Sequence, residues 1–235
     1  MDLLARLAED PSRAAIFFDV DGVLAPIVPR PEDALVPEET RAELRRLHER
    51  YALVACISGR AEEDARRIVG VPELVYVGNH GLELEPESVR WRRRLQDFLV
   101  TVEWGRVENK GTTAALHFRD AVDEAAARAA LEGIAVRARK AGFVARFGRK
   151  VLELLPPLPA NKGTAIRHLL HSHALHRALF AGDDTTDLDA FRALDAIELP
   201  VRIAVVSDES PAELRDAADL AVNGPDELLA VLRRL

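Results

Sequence analysis

Short apolar runs recur along the chain, and nearly every one ends in a polar cluster. The first is Ala14-Ala15-Ile16-Phe17-Phe18, followed at once by Asp19-Val20-Asp21-Gly22. A run of that length without polar alternation predicts a strand buried on both faces. Side chains alternate along a strand, so Asp19 and Asp21 leave on the same side, and Gly22 permits a sharp turn beyond them. A second run, 52–57, leads into Ser58-Gly59-Arg60, and a third, 74–78, into Gly78-Asn79-His80-Gly81. Helices are predicted between them at 2–9, 38–50 and about 61–69. Asp10-Pro11 stops the first, Glu38 and Glu39 suit the dipole of the second, and Gly70 closes the third. Residues 22–37 carry Pro26, Pro29, Pro31 and Pro37, a stiff loop overhanging the first strand. Polar clusters at the carboxyl ends of strands in β-α-β-α-β order predict an α/β fold with a doubly wound, Rossmann-like parallel sheet.

The texture then changes. A helix is predicted at 91–102, strands at 104–110 and 112–118, a helix at 123–140, and strands at 143–147 and 150–155. This αββαββ order suits a small sheet with two helices on one face, an α+β domain inserted at 86–158. Pro156-Pro157-Leu158-Pro159 reads as the return linker. The core, 1–85 and 159–235, resumes with helix 161–173, strand 177–181, helix 185–194, strand 201–206, helix 211–217 and a last helix opened by Gly224-Pro225-Asp226.

Composition narrows the classes. With 235 residues and 48% hydrophobic content the chain can bury a full core. A net charge of -7 argues against nucleic-acid and anionic-membrane partners, which need a basic face. Cys56, the single cysteine, lies in an apolar run and excludes an intrachain disulfide, as a reducing compartment would favour. No leader precedes Met1-Asp2-Leu3 and no uncharged stretch approaches bilayer length, so a cytoplasmic location is expected. Of 32 basic residues only Lys110, Lys140, Lys150 and Lys162 are lysines, so each lysine invites a chemical reason.

Four clusters carry candidate chemistry. Asp19 and Asp21 are the pair that an aspartyl nucleophile and a magnesium ion require at a strand end. Ser58 offers a hydroxyl and backbone N–H groups to a phosphate oxygen. Lys162 opens a helix, where an ammonium opposes the dipole and wants an anion. Asp183, Asp184 and Asp187 repel one another unless a cation or helix terminus compensates. Each has a bland alternative: a polar turn, an N-cap, a solvated lysine, helix caps. His168, His171, His173 and His176 invite a metal reading, but no carboxylate or cysteine accompanies them and a solvated helix is expected. Trp91-Arg92-Arg93-Arg94 is read as a helix surface rather than a basic anchor.

Four such clusters in order on four strand–helix junctions resemble the haloacid dehalogenase-type phosphatase superfamily, and the insert matches its C2-type cap. Finer motifs resemble the trehalose-6-phosphate phosphatase family: Phe18-Asp-Val-Asp-Gly-Val-Leu, Arg30-Pro31-Glu32-Asp33-Ala34, Ser58-Gly59-Arg60, Gly78-Asn79-His80-Gly81, Val107-Glu108-Asn109-Lys110, His117-Phe118-Arg119, Glu153 before Pro156, Lys162-Gly163, and Gly182-Asp183-Asp184-Thr185-Thr186-Asp187. Val23, Leu155 and Leu188 depart from residues common in that family.

The resemblance implies Mg2+-dependent hydrolysis of trehalose 6-phosphate through an aspartyl phosphate. Asp19 would be the nucleophile and Asp21 the acid and base, with Ser58 and Lys162 stabilising the transferring group. Asp19, the Asp21 carbonyl and Asp183 would hold the metal, supported by Asp184 or Asp187. Ser58, Gly59, Arg60, Asn79, His80, Glu108, Lys110, His117, Arg119 and Glu153 would bind substrate. Glu108 and Lys110, like His117 and Arg119, are expected to share a strand face. A small-molecule sugar phosphate is the expected partner, a trehalose-phosphate synthase would be a separate polypeptide, and a monomer is expected. The rivals are a capped phosphatase for sucrose phosphate or a glycosyl phosphoglycerate, a hexose phosphomutase, and a non-catalytic sensor.

Overall fold

The computed structural model describes residues 2–28, 30–148, 150–207 and 210–235, so Pro29 of the expected loop lies outside the described residues. Two compact units emerge, Met1–Gly81 with Ala160–Leu235, and Leu82–Pro159.

In the first unit the predicted alternation holds. Helix α1 (Leu3–Glu9) precedes β1 (Ala14–Phe18), and α2 (Glu38–Arg50), β2 (Leu53–Ile57), α3 (Glu62–Val69) and β3 (Val75–Val77) follow. Asp2 caps α1 by accepting the Leu4 N–H at 3.1 Å, and α3 ends on Gly70 in the left-handed region.

The second unit contributes α4 (Ser88–Leu99), β4 (Val107–Asn109), β5 (Ala114–His117), α5 (Glu124–Lys140), β6 (Val144–Gly148) and β7 (Val151–Leu155). The chain then returns through α6 (Lys162–Ser172), β8 (Arg177–Gly182), α7 (Asp187–Ala193), β9 (Leu199–Val206), α8 (Ala212–Asp216), β10 (Leu220–Asn223) and α9 (Gly224–Leu232).

The six core strands are all parallel, in the order β10-β9-β8-β1-β2-β3. Chain order runs outward from β1 in both directions, so the boundary between β1 and β8 is the switch point at whose carboxyl side such sheets bind ligands. Alternation sends Ile16 and Phe18 into the apolar layer shared with Leu44, Leu47, Leu228 and Leu232 of α2 and α9. Both faces of β1 are buried, as its continuous apolar run predicted. Each large side chain so buried contributes about 1.5–3 kcal/mol.

The chain departs at Gly81 and returns at Ala160. There the two crossings touch: a Cβ on Gly81, whose φ is 99°, would stand 2.8 Å from the Asn161 carbonyl oxygen.

The second unit is a four-stranded antiparallel sheet, β4-β5-β7-β6. Ala114, Leu116, Leu152 and Leu154 pack against Trp91 and Leu95 of α4 and Leu131, Ile134 and Ala138 of α5. Trp91 meets Phe143 edge-on at 5.2 Å and carries Arg94 over its ring, so it is buried in the core of this unit rather than on the expected helix surface, where only Arg92 and Arg93 are exposed.

The structure departs from the expected elements in several places, α4 among them, which runs Ser88–Leu99 rather than 91–102. Strand β4 begins at Val107 rather than 104, because Trp104 reaches the partner strand through its indole, donating to the His117 carbonyl at 2.8 Å. β5 stops at His117 because the Ala121 N–H donates to the Phe118 carbonyl and turns the chain. Helix α7 begins at Asp187, after a turn in which the Asp187 N–H donates to the Asp184 carbonyl. The edge strand β10 has no counterpart in the sequence reading.

Candidate active site

Asp19 continues the β1 ladder by one bond, its N–H donating to the Ala181 carbonyl at 3.0 Å. This places it against the end of β8, where Gly182 leads into Asp183. Gly22, at φ 77°, is indispensable here: a Cβ would stand 2.1 Å from an Asp183 carboxylate oxygen. Only glycine lets the Asp19–Asp21 turn and the Asp183 carboxylate approach so closely.

Lys162 is the first residue of α6, held by a capping box in which Asn161 accepts the Thr164 N–H at 2.8 Å and donates its own N–H to the Thr164 hydroxyl at 3.0 Å. Its ammonium is almost wholly buried and finds two anions, Asp187 Oδ1 at 2.6 Å and Asp19 Oδ2 at 2.9 Å. Asp187 is fully buried and saturated, since its Oδ2 accepts the N–H groups of Asp183 at 2.8 Å and Asp184 at 3.0 Å. One carboxylate thus ties the acidic loop to the lysine.

Among the described residues, Asp19, Asp183 and Asp187 are the set whose ligand atoms converge, all within 4.8 Å of one another. Three carboxylates around one ammonium leave an excess of negative charge. Burial pushes the Asp183 carboxyl up to about 8, and the neighbouring Asp19 and Asp187 charges add to the effect. Burial also raises Asp19, against the pull of Lys162. Lys162 itself is held firmly protonated: burial opposes its charge, but Asp19 and Asp187 outweigh it.

The other expected residues divide into groups. Ser58 is buried at the end of β2, its Oγ accepting the Arg60 N–H at 3.2 Å. Arg60 grips Asp21. Asn79 and His80, at the end of β3, turn their N–H groups back onto the carbonyls of Arg60 and Ser58, and the His80 ring lies against Gly59. Asp184 turns away into its own loop, accepting the Thr185 N–H at 2.6 Å. His168, His171, His173 and His176 are exposed on or just past α6 and lie outside the convergent set.

In the second unit, register aligns Glu108 with Ala115, Ala115 with Glu153, and Glu153 with Arg146. These positions share the sheet face away from the helices. His117 Nε2 donates to Glu108 Oε2 at 2.9 Å, and Lys110 stands 3.8 Å from the same carboxylate. Glu153 accepts from Arg146 at 2.6 Å. Arg119 lies beyond β5 in an exposed turn. Arg146 was absent from the sequence reading; the β6–β7 register, which pairs it with Glu153, is the signal that finds it.

Comparison with known proteins identifies the family. The family model described as trehalose-phosphatase matches residues 17–104 and 92–225. The chain is 33% identical over 246 residues to the trehalose-phosphate phosphatase of Mycobacterium avium, covering 94% of this chain and 61% of that one. It is 30% identical over 253 residues to a trehalose 6-phosphate phosphatase of Zea mays, covering 94% and 69%. The chain therefore spans about two thirds of the length of these relatives. A trehalose-6-phosphate phosphatase structure from Aspergillus fumigatus shares the fold with a TM-score of 0.64 at 23% identity, over 99% and 96% of the two chains. A haloacid dehalogenase-like hydrolase from Bacteroides thetaiotaomicron does so at 0.62 and 14% identity, over 94% and 98%. On the family match and these relatives, the chain belongs to the trehalose-phosphatase family of phosphoric monoester hydrolases.

Proposed function

We propose that the chain is a magnesium-dependent phosphatase that converts trehalose 6-phosphate to trehalose and phosphate through an aspartyl phosphate on Asp19. The observation that carries this reading is the convergence of half-buried Asp183 on buried Asp19 and Asp187, which share the single ammonium of Lys162. Uncompensated buried charge is costly, and an all-oxygen donor set suits a hard divalent cation. Asp19, the Asp21 carbonyl and Asp183 would hold it, Asp187 would fix the loop, and Asp184 would lie farther out. When bound, magnesium supplies positive charge to the phosphoryl oxygens.

The chain's own groups then account for the chemistry. Asp19 attacks phosphorus, its oxygen forming the new P–O bond as the bond to the sugar oxygen breaks. Asp21 gives its proton to that oxygen, then takes one from the water that displaces Asp19. Lys162 and Ser58 stabilise charge on the transferring group. The open face of the second unit, with Glu108, Lys110, His117 and Glu153, carries hydroxyl-binding groups and would select the sugar, joined by Arg119 from its turn. Units Met1–Gly81 with Ala160–Leu235 and Leu82–Pro159 would thus be catalytic core and cap. Asn79, His80 and Gly59 line the same strand ends as Ser58 and complete the proposed site. No helix among the described residues is long and apolar enough to cross a membrane. The reading includes a monomer in the cytoplasm.

The test is phosphate release over a panel of sugar phosphates and nitrophenyl phosphate, with magnesium and with EDTA. Trehalose 6-phosphate should be preferred and chelation should abolish turnover. Equal rates on the aryl ester, or activity surviving EDTA, would sink the reading, and a requirement for a bisphosphate activator would indicate a mutase.

A further inference from the structure

Asp21 is held from one side by a complete fork. Arg60 Nε donates to its Oδ2 at 2.6 Å and Nη2 to its Oδ1 at 2.7 Å. Nη1 of the same guanidinium donates to Asp64 Oδ2 at 2.7 Å, and Asp64 accepts from Arg67 Nη2 at 2.6 Å. The edge of Arg60 that would clasp a phosphate with two parallel N–H bonds is therefore already spent on Asp21. The Arg60 side chain is only 14% exposed, so it is no loose surface cation.

Its backbone is pinned as well. The Arg60 carbonyl accepts the Asn79 N–H at 2.7 Å, and the Ser58 carbonyl accepts the His80 N–H at 2.8 Å. To present those N–H groups, Asn79 and His80 both adopt left-handed backbone, with φ of 50° and 55°. Such a conformation costs a non-glycine residue on the order of 1–2 kcal/mol. Strain of this kind persists where the surroundings enforce it, and it gathers at functional sites. Here it aims one arginine. The His80 ring, 2.6 Å from where a Cβ of Gly59 would stand, closes the loop from the other side.

We propose that Arg60 is a positioning residue, fixing the Asp21 carboxylate for proton transfer with Asp64 as its outer anchor, rather than a grip on the phosphoryl group. This rests on the reading of Asp21 as acid and base. When the P–O bond to an alkyl leaving group breaks, its oxygen needs the proton that Asp21 carries. A dinitrophenolate departs without one. Because kcat/KM ends with the first irreversible step, it registers the attitude of Asp21 for the sugar ester and not for the activated aryl ester.

The experiment compares kcat/KM on trehalose 6-phosphate and on dinitrophenyl phosphate for wild type, Arg60→Ala and Asp64→Asn, together with inhibition by inorganic phosphate and thermal melts. Arg60→Ala should lose about 100-fold on the sugar ester and less than about tenfold on the aryl ester. Phosphate inhibition should stay within about twofold of wild type. Asp64→Asn should show the same selectivity at about three- to tenfold, and it decides the matter should Arg60→Ala fail to fold. Equal losses on both esters, or markedly weaker phosphate inhibition, would overturn the proposal and return Arg60 to the phosphoryl group. A wild type inactive on both esters would instead overturn the phosphatase reading beneath it.

Discussion

The acidic cluster at the strand ends of the first unit and the charged face of the small sheet use the same residue types under opposite conditions. In the cluster, Asp187 and Lys162 are almost completely buried, and three acids share one base. On the sheet face, Glu108 is 46% exposed and pairs with His117 and Lys110, while Glu153 pairs with Arg146. Exposed pairs of that kind contribute only about 0–1 kcal/mol and exchange partners readily. A buried imbalance is costly and is relieved by taking up a proton, as the raised Asp183 carboxyl does, or by a further cation. On the proposed function, the first region would hold an ion and a reacting group, and the second would trade its internal bonds for those of a sugar.

The comparison can be broken from its strong end downward. Asp19→Asn should cut phosphate release by at least about 10,000-fold while the melt stays cooperative, as expected of a lost nucleophile. Appreciable turnover by that variant would remove Asp19 from its role. Next comes the ion. Magnesium at about 100 times its dissociation constant should stabilise the protein by about 2.7 kcal/mol, and Asp183→Asn should lose that shift. An unchanged magnesium shift in the variant would show that the ion sits elsewhere.

The metal-free protein offers a sign to check. The folded state raises the Asp183 carboxyl from 3.8 to about 8, so it binds that proton more tightly than the unfolded chain does. Stability in EDTA should therefore decline as pH climbs through this window, and Asp183→Asn should flatten the decline. Denaturant melts across that range measure it.

At the weaker end, Lys110→Ala should raise KM for trehalose 6-phosphate about tenfold and leave nitrophenyl phosphate unaffected. Loss on both substrates would tie Lys110 to the chemistry instead. Smallest of all, Glu153→Gln should change folding stability by less than about 1 kcal/mol, read from urea midpoints. A larger loss would mean that the Arg146 pair is structural.

How far the sequence announced these regions follows from the range of the interactions. Apolar runs and the polar clusters behind them are local, so β1, β2 and β8 and the residues that end them could be read directly. Lys162 stood out because an ammonium in a helix's first turn is unfavourable, and its two anions supply the reason. The Arg60–Asp21 fork joins residues 39 apart, and no spacing rule reveals it. Likewise Arg146 and Glu153 face each other only once the β6–β7 register is known. Strand β10 was invisible because four residues on a sheet edge, mixing Leu220 and Val222 with Asn223, carry too little pattern. Arg119 was expected beside His117 on a strand face, but the period-two rule lapses where the turn after Phe118 begins.

The touching crossings at Gly81 and Asn161 make the junction a two-ply seam. Lengthening one ply alone would slide Lys162, the next residue along, relative to the loop that carries Ser58. Replacing the whole segment between the plies leaves the seam stitched. The 82–159 stretch is therefore built as a cartridge: its contents can diverge while Asp19, Lys162 and Asp187 keep their alignment.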